Sequence, residues 1–428
     1  MTPATGEPDV LVVGGGPAGS TLAGLLGAGG LRVTLVDRAR FPREKACGEC
    51  LNPGGVATLE RLGLLETVLA TRPVELRGWR LGTPEGPSAV GHFGSGVGHA
   101  LGIRRGAFDH ALLDRARASG VRVLEGFHLQ GLELGRGIPL VRGREVGSDR
   151  VWEMQPRIVV GADGLRSVVA RSAGARSRPA RRIKASLSWH LEGPPPTEPL
   201  GHLLLGGPFT SGLAPVARSA PHADEGSVPG RSIWSHTVVV DPRRYADRLR
   251  ADPEGLGREA LHALLPDDAD RFDPLGPPRA SGPFDSPVRW AARGRVLLVG
   301  DAAGYYDPLT GQGIYRALRS AELAAPLLRR GLDAPDTLAA MMQQYDRSIR
   351  RAFTPGRRIQ KILDRGLDSP LLRRFGVTIL SRRAAGADTL VGITGDRLSP
   401  RALFTPSAWS DKALGTPGEP SPSTHWMG

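Results

Sequence analysis

The fold is decided by the stretch Asp9-Val-Leu-Val-Val-Gly14-Gly15-Gly16-Pro17-Ala18-Gly19 and by the residues that follow it up to Asp37. A hydrophobic run leads into a G-x-G-x-x-G motif, residues 20–28 predict a helix, and residues 33–36 predict a second strand. In such a β-α-β unit the glycines permit a sharp turn, a close backbone approach to a pyrophosphate and tight helix packing. The helix start offers its amides to phosphates. Asp37, at the second strand's end, is placed to accept hydrogen bonds from a ribose. The sequence therefore predicts a dinucleotide-binding unit, with cofactor-binding residues Gly14, Gly16, Pro17, Ala18, Gly19, Asp37 and Arg38.

Composition places the chain among large globular proteins. Its 428 residues are 40% hydrophobic, enough for two or three domains. The net charge of +13 comes almost wholly from arginine, but the arginines are scattered and aromatic residues make up only 5%, so we predict no nucleic-acid binding. The positive charge leaves three other partners open: the surface of a membrane, an acidic carrier protein and an electron-transfer protein. We expect neither a membrane span nor a signal peptide, and hence a cytoplasmic protein.

The pattern of apolar residues divides the chain into five parts. Residues 9–174 and 288–335 form the two halves of a discontinuous nucleotide-binding domain, the first half including a β-meander and, near 74–100, strands that could join the inserted sheet. Residues 175–287 predict that inserted antiparallel sheet, which would bind the substrate. Residues 336–404 predict a helical region, with helices up to about 385, and residues 1–8 and 405–428 predict disordered ends. The predicted helices are 54–70, 106–119 and 311–330, and the predicted strands include 121–125, 127–133, 138–146, 150–155, 157–161, 183–191, 202–205, 232–240 and 295–300.

Two further motifs follow the buried strands that return to the nucleotide sheet. The first is Gly161-Ala-Asp163-Gly164, and the second runs from Gly300-Asp301-Ala-Ala-Gly304 to Gly311-Gln312-Gly313-Ile314. Both fall at the carboxyl edge, where open α/β sheets bind ligands. Asp301 is suited to a polyol hydroxyl, and the helix start at Gly311-Gln312-Gly313 is suited to developing negative charge, as on a reduced flavin. These motifs add the predicted cofactor-binding residues Asp163, Gly164, Gly300, Asp301, Gly311, Gln312, Gly313 and Ile314.

The three motifs, in this order over residues 9–330, resemble the flavoproteins built like p-hydroxybenzoate hydroxylase. This resemblance implies an α/β fold in which a Rossmann-type FAD-binding domain carries an antiparallel β-sheet substrate domain and C-terminal helices. It implies that the first motif binds the ADP part of FAD, that Asp163 and Gly164 abut the pyrophosphate, and that Asp301 binds the ribityl chain. Arg105, in Arg105-Gly-Ala-Phe-Asp109, matches the arginine that reaches the cofactor in the family.

The segment Phe41-Pro-Arg-Glu-Lys45-Ala-Cys47-Gly48-Glu-Cys50 is similar to the P-x-x-K-x-C-G segment of geranylgeranyl-reductase-like flavoproteins. The resemblance implies that Lys45 lies at the cofactor and that Cys47 and Gly48 approach the isoalloxazine ring. Tyr305 and Tyr306, which follow Gly304 and stand next to Asp307-Pro308, would wall the site beside the flavin. The predicted catalytic residues are Cys47, Gly48, Tyr306 and Pro308. Residues 208–216 stand where the reductases carry Y-x-W-x-F-P, and they lack that pattern. This departure argues against an isoprenoid substrate. Flavin halogenases need a catalytic lysine. No lysine lies between residues 46 and 183 here, which argues against a halogenase.

Cys47 and Cys50, the only cysteines, have the spacing of a redox dithiol. Three readings stay open: unreactive thiols that shape the pocket, a dithiol that exchanges electrons with the flavin, and Cys47 acting alone. A zinc site would need two more ligands, so we predict no metal. Five histidines on strand-like pieces are weaker candidates for proton transfer, namely His92, His99, His190, His202 and His236.

These observations predict an FAD-dependent oxidoreductase with non-covalent FAD, reduced by NAD(P)H or another electron donor. Reduction or dehydrogenation of a hydrophobic small molecule is the first hypothesis. An NAD(P)H-dependent monooxygenase is the alternative. A flavin halogenase and a non-enzymatic FAD-binding module follow behind them.

Overall fold

The computed structural model describes residues 6–94, 96–134, 137–147, 151–177, 183–218, 230–284, 286–305, 308 and 311–409. Within them the strands are β1 (Val10–Val13), β2 (Val33–Asp37), β3 (Cys50–Leu51), β4 (Val74–Leu76), β5 (Gly78–Gly82), β6 (Ser88–His92), β7 (Ala100–Gly102), β8 (Arg122–Glu125), β9 (Phe127–Glu133), β10 (Leu140–Glu145), β11 (Val151–Met154), β12 (Ile158–Gly161), β13 (Ala185–Gly193), β14 (Leu200–Leu204), β15 (Thr210–Val216), β16 (Ser232–Val240), β17 (Asp273–Ser281), β18 (Ala292–Arg293) and β19 (Val296–Leu298). The α-helices are α1 (Pro17–Ala28), α2 (Pro53–Arg61), α3 (Leu65–Leu69), α4 (Arg105–Ala118), α5 (Val168–Ser172), α6 (Pro242–Ala251), α7 (Pro253–Leu264), α8 (Gly313–Asp333), α9 (Leu338–Asp368), α10 (Pro370–Arg382) and α11 (Ala384–Thr394).

The nucleotide-binding part is a six-stranded sheet in the order β18-β19-β12-β1-β2-β8. Strand β1 lies at its centre, parallel to both β12 and β2. All four residues of β1 and of β12 are buried, because helices cover one face and the small sheet β11-β10-β9 covers the other. This is the arrangement that continuous apolar runs predict for parallel strands. The carboxyl ends of β1, β12 and β19 therefore meet at one edge.

The second layer is a seven-stranded sheet in the order β17-β13-β16-β15-β14-β5-β6. Helix α7 covers one face, where Leu256 and Leu261 pack against strand residues such as Leu187 and Trp189. The sequence predicts an antiparallel sheet, and this prediction is wrong for one pair of strands, because β14 runs parallel to β5. Both β5 and β6 come from the 74–100 region, so the chain before residue 175 does supply strands to this sheet.

Several expectations need correction. Residues 54–70 form two helices rather than one, because Gly63 adopts a left-handed φ of 66° that ends α2. Strands β4 and β7, also from the 74–100 region, pair in a separate sheet with β3. Helical structure continues beyond 385 through α11. Residues Pro406–Trp409, predicted as disordered, form a short 3-10 helix, whereas residues 1–5 and 410–428 lie outside the described residues.

The C-terminal helices close the molecule. Helix α9 packs along α8, and both α10 and α11 pack against β6 at the edge of the seven-stranded sheet. Within the described residues, no helix combines the length and the apolar character that crossing a bilayer requires.

Candidate active site

A cavity of about 980 Å³ runs between the carboxyl edge of the nucleotide sheet and the free face of the seven-stranded sheet. It gathers residues from all three sequence motifs and from the Cys47 segment. The predicted site residues that line it are Gly14, Gly16, Pro17, Ala18, Asp37, Arg38, Lys45, Cys47, Gly48, Arg105, Asp163, Gly164, Gly300, Asp301, Pro308, Gly311, Gly313 and Ile314. Gly19 and Gln312 are not among the lining residues, and Tyr306 lies outside the described residues.

The three glycines of the first motif have different surroundings. A Cβ on Gly14 would lie 2.4 Å from the Ala162 carbonyl oxygen, and a Cβ on Gly19 would lie 1.8 Å from the Gly14 carbonyl oxygen. These two positions therefore need glycine for packing of the protein itself. A Cβ on Gly16 would meet nothing closer than the Arg43 guanidinium at 3.6 Å. Gly16 faces the cavity, which is the position that the motif reserves for close approach of a pyrophosphate.

Two aspartates supply acceptor atoms along this cleft. The Asp37 carboxylate accepts hydrogen bonds from the backbone N–H of Gly15 (2.7 Å) and of Ala39 (2.8 Å), which fix it at the end of β2. Asp163 Oδ2 accepts from the N–H of Val168 at 2.6 Å. Its other oxygen, Oδ1, is buried and has no hydrogen-bond partner among the described residues. A buried acceptor of this kind calls for a donor, and a nucleotide cofactor would bring one.

The centre of the cleft is strongly cationic. Burial lowers the pKa of the Lys45 ammonium, and the nearby Arg105 and Arg43 guanidinium groups lower it further. Burial raises the pKa of the Asp301 carboxyl, an effect that Lys45 and Arg316 oppose. Four basic residues act on the Asp301 carboxylate, namely Lys45, Arg105, Arg176 and Arg316. This excess of basic groups leaves positive charge that would favour a pyrophosphate and a reduced flavin. The open glycines, the unpartnered Asp163 oxygen and this charge fit FAD.

The start of α8 faces the cavity through Gly313. A Cβ on Gly313 would lie 3.5 Å from the Tyr305 ring, and Gly311 has a left-handed φ of 64° with open space beside it. The Gln312 side chain points elsewhere: its Nε2 donates to Asp396 Oδ1 at 2.8 Å. Only the backbone of Gln312 is therefore left for the predicted role in cofactor binding. Its side chain joins the turn before α8 to the C-terminal segment through Asp396.

Asp396 follows α11 and was not predicted. Asn52 Nδ2 donates to its other oxygen at 2.8 Å, so one carboxylate joins the start of α2 to the turn before α8. Burial raises the pKa of Asp396 to about 7, although its two donors and Arg316 favour the charged form. Its backbone adopts a left-handed φ of 59°. No motif marks this residue, which reaches the site from 84 residues beyond Gln312.

The Cys47 segment is held against the seven-stranded sheet by Glu49. Glu49 is 1% exposed, adopts a left-handed φ of 54°, and accepts the N–H of Arg105 through Oε1 at 2.7 Å. Its Oε2 lies 2.6 Å from Nε2 of His190 on β13. Gly48 lies against Thr237 of β16, whose Oγ1 would be 3.6 Å from a Cβ at position 48. The segment is thereby pinned along the cavity wall, and Glu49 is a second residue that sequence reasoning missed.

Arg105 lies at the cavity but is committed within the protein. Its Nε and one terminal nitrogen donate to the Asp109 carboxylate, each at 2.8 Å. Burial disfavours the charged guanidinium, yet Asp109 and the Cys47 thiol hold the pKa of Arg105 above its usual range. Its role toward the cofactor stays a prediction, whereas its bonds to Asp109 and Glu49 fix it next to the Cys47 segment.

The two cysteines occupy different surroundings. Cys47 is half-buried, and its Sγ accepts the N–H of Glu49 at 3.3 Å. Cys50 is buried in another apolar cluster, beside Leu76 and Phe93, and burial raises the pKa of its thiol to about 12. A thiol that resists ionisation is a poor partner for disulfide exchange.

Of the candidate histidines, His236 belongs to the core. It is fully buried, its Nδ1 accepts the Trp189 Nε1–H at 2.7 Å, and its Nε2 lies 2.8 Å from Ser211 Oγ. Burial lowers its pKa to about 3, so it is neutral and structural. His190, bonded to Glu49, is the histidine that borders the Cys47 segment.

The fold and the cleft define an FAD-dependent oxidoreductase. The family model described as an FAD binding domain matches residues 7–339, and the chain belongs to this family. It is 27% identical to menaquinone reductase of Mycolicibacterium smegmatis, over 83% of this chain and 84% of the relative. Digeranylgeranylglycerophospholipid reductase of Methanothrix thermoacetophila is 29% identical, over 83% of this chain and 86% of the relative.

Other chemistries occur among its relatives. The chain is 31% identical to 6-methylpretetramide 4-monooxygenase of Streptomyces rimosus, over 77% of each protein. The crystal structure of CmlS, a flavin-dependent halogenase, superposes with a TM-score of 0.71 at 22% identity, covering 96% of this chain and 68% of that one. That likeness concerns the fold. The expected membership in the p-hydroxybenzoate hydroxylase-like superfamily, with reductase-like relatives, is confirmed.

Proposed function

We propose that this enzyme reduces an unsaturated bond in an apolar small molecule, using non-covalent FAD and NAD(P)H or another electron donor. Reduction is the activity named for two relatives that each match 83% of this chain. The structural observation that supports a substrate site is the continuity of the cavity from the nucleotide cleft past Cys47 and Gly48 to the seven-stranded sheet. A substrate on the sheet would therefore contact the reacting end of the cofactor directly. We place the reaction in the cytoplasm, in keeping with the two free thiols.

The walls of the cavity beyond Cys47 support an apolar substrate. They are built from large hydrophobic side chains on several elements, namely Trp79, Leu81, Phe93, Leu203, Leu205, Leu213, Val239, Phe284, Leu363, Leu367, Leu390 and Val391. The polar residues that the seven-stranded sheet adds to the lining carry hydroxyl groups, namely Ser186, Thr210, Ser235, Thr237 and Ser281. The Thr237 hydroxyl lies 3.0 Å from Ser188 Oγ. Apolar walls with a small number of placed polar groups are typical of small-molecule sites.

When bound, FAD supplies the electron pair for the reaction. The protein's part is orientation and charge. Gly16, Gly164 and Gly311 leave room for the cofactor backbone, and Lys45 with its neighbouring arginines stabilises negative charge. Glu49 fixes the Cys47-Gly48 segment, so that this segment and β16 bound the space in which a substrate must lie.

Monooxygenation is the second candidate, favoured by the 31% identity to a monooxygenase over most of both chains. It uses the same cavity and differs in whether dioxygen takes the electrons. A halogenase and a non-enzymatic FAD-binding module are less supported, the latter because a binding module needs no cavity beside the Cys47 segment.

The test is an anaerobic half-reaction. The holoenzyme is reduced with dithionite and mixed, without oxygen, with a short-chain menaquinone, a digeranylgeranyl glycerophospholipid and 6-methylpretetramide. A reductase restores the yellow oxidised flavin without air, and its product gains two hydrogen atoms at a carbon–carbon double bond; a product changed only from quinone to quinol does not count, because a quinone ring can itself oxidise reduced flavin. Reoxidation that waits for air, with an added oxygen atom in the product, would replace the proposal with monooxygenation. Parallel reductions with NADH and NADPH identify the donor.

A further inference from the structure

The end of α9 and the whole of α10 form a helical elbow, residues 358–382, with an unusual surface. Four of the ten large hydrophobic side chains that are exposed among the described residues lie on it: Ile362 (63% exposed), Leu371 (81%), Leu372 (61%) and Phe375 (66%). Such residues are normally scattered singly over a surface. Their concentration on two consecutive helices marks a surface that contacts something apolar.

Three of these residues, Leu371, Leu372 and Phe375, lie on α10, and their helical spacing places them on its outer side. Leu371, Phe375 and Arg382 are separated by four and seven residues, which puts them on one face, while Arg373 and Val377 on the opposite face are buried. On α9, Arg358, Ile362 and Arg365 are likewise exposed at spacings of four and three. Helix α10 therefore presents an apolar stripe, α9 adds the single exposed side chain of Ile362, and arginines border both.

The charge of the elbow is one-sided. Residues 358–382 contain six basic residues and two carboxylates, Asp364 and Asp368. Asp364 is buried and forms an ion pair with Lys184. Arg373 is buried as well, so the exposed charges of the elbow are four arginines, Arg358, Arg365, Arg374 and Arg382, against one carboxylate, Asp368. The outer surface of the elbow is consequently cationic around its apolar residues. Helices with an apolar stripe and flanking arginines bind at the interface of a membrane, and each arginine near an anionic surface strengthens that binding.

The elbow also forms part of the cavity wall. Leu363 and Leu367, in the last turns of α9, line the cavity, while Ile362 beside them faces outward. Arg373 fixes the bend between the helices, donating to the Leu367 carbonyl oxygen at 2.6 Å and to the Glu85 carboxylate. The outward side of α9 at Ile362 therefore lies one helix thickness from the interior of the cavity, and α10 continues from it.

We propose that the elbow docks this enzyme on the surface of an anionic lipid bilayer, with Leu371, Leu372 and Phe375 entering the acyl boundary. Charge complementarity selects this occupant, because exposed arginines border the stripe and anionic headgroups match them. A bilayer also holds apolar solutes. In a step that rests on the proposed function, the substrate passes from the bilayer along the elbow into the cavity.

Binding is tested by flotation of the full-length holoenzyme with vesicles of phosphatidylglycerol and phosphatidylcholine, and with phosphatidylcholine alone. We expect binding to the anionic vesicles that weakens as salt rises. The variant Leu371→Ser/Leu372→Ser/Phe375→Ser should bind at least tenfold more weakly. Arg374→Gln/Arg382→Gln should lose about fivefold for each arginine on the anionic vesicles. The matched control Val146→Ser/Val151→Ser removes two exposed apolar residues at the small sheet β11-β10-β9, outside the elbow, and should bind as the parent does.

Absence of vesicle binding by the parent, or equal binding by the triple-serine variant, would overturn the proposal. So would a change from dimer to monomer in that variant without vesicle binding, since this result assigns the stripe to a second copy of the chain. The proposal would also be overturned if the elbow captured an acidic protein and showed no affinity for lipid. Because flotation needs no turnover, a failed reductase assay leaves this test intact, and a failed flotation leaves the reductase assay intact.

Discussion

Asp396 makes the stability of this protein depend on pH, and Asp396→Asn is expected to remove that dependence. The carboxylate accepts from Asn52 and Gln312, and burial raises its pKa from 3.8 to about 7. Between these two values the folded protein holds a proton that the unfolded chain has released. Stability therefore falls as pH rises through this window, and the loss is complete above about pH 7.

The size of the effect follows from the shift. At about 1.4 kcal/mol for each pKa unit, a rise of roughly three units corresponds to an upper bound of about 4 kcal/mol. Asp396 retains partial contact with solvent, so we expect about 1–3 kcal/mol. Asparagine has the same size and tolerates the left-handed φ of 59° at this position. Its amide group would face Gln312, which provides an acceptor by rotating its own amide.

The assay is thermal and denaturant unfolding of the parent and of Asp396→Asn at several pH values from 5 to 8. The parent should lose stability across the range, and the variant should be more stable than the parent at pH 8 by a few degrees in Tm, at about 2 °C per kcal/mol. Asp333→Asn, an exposed aspartate at the end of α8, is the control and should follow the parent. If Asp396→Asn follows the parent within about 0.5 kcal/mol at every pH, the burial argument is refuted.

Three further outcomes test the site. Cys50→Ala should be nearly silent, whereas Cys47→Ala should keep FAD and change turnover; loss of turnover in both, with four electrons taken up from dithionite, would establish a redox dithiol instead. Gly313→Val places a side chain in the cavity at the start of α8, so flavin reduction measured by stopped flow should slow at least tenfold with little change in Tm, and an unchanged rate would contradict this placement. Glu49→Gln removes the charge from the bond to His190 and should cost about 1–3 kcal/mol in denaturant unfolding, an expectation that equal midpoints would refute.

The sequence predicts the nucleotide sheet well because its signals are local. Each of β1, β12 and β19 is a short, fully buried run with a glycine or an aspartate within two residues after its end, and recognising such a run needs no knowledge of the rest of the chain. The break at Gly63 is not predicted, since the apolar spacing continues through it. The pairing of β14 with β5 joins segments about 120 residues apart, and no local pattern encodes that register.

The same distinction separates the site residues that were predicted from those that were missed. Glycines and aspartates next to strand ends are recognisable, because the motif fixes both spacing and chemistry. Glu49 stands inside a recognised segment, yet its role depends on His190 arriving from the other sheet. Asp396 has no motif at all, and its importance arises only when the C-terminal segment folds back onto Asn52 and Gln312.

The glycines of the first motif show how a ligand's place can be recognised from the protein alone. Gly14 and Gly19 exclude a Cβ because backbone atoms of the protein lie within 2.4 Å of where it would stand. Gly16 faces the cleft with only the end of a flexible arginine nearby, so nothing in the protein's own packing demands glycine there. The demand must come from what enters the cleft, and Asp163 Oδ1, buried without a partner among the described residues, points to the same occupant. FAD would account for both observations, since its phosphate backbone would fit beside Gly16 and its hydroxyl groups would supply donors for the carboxylate.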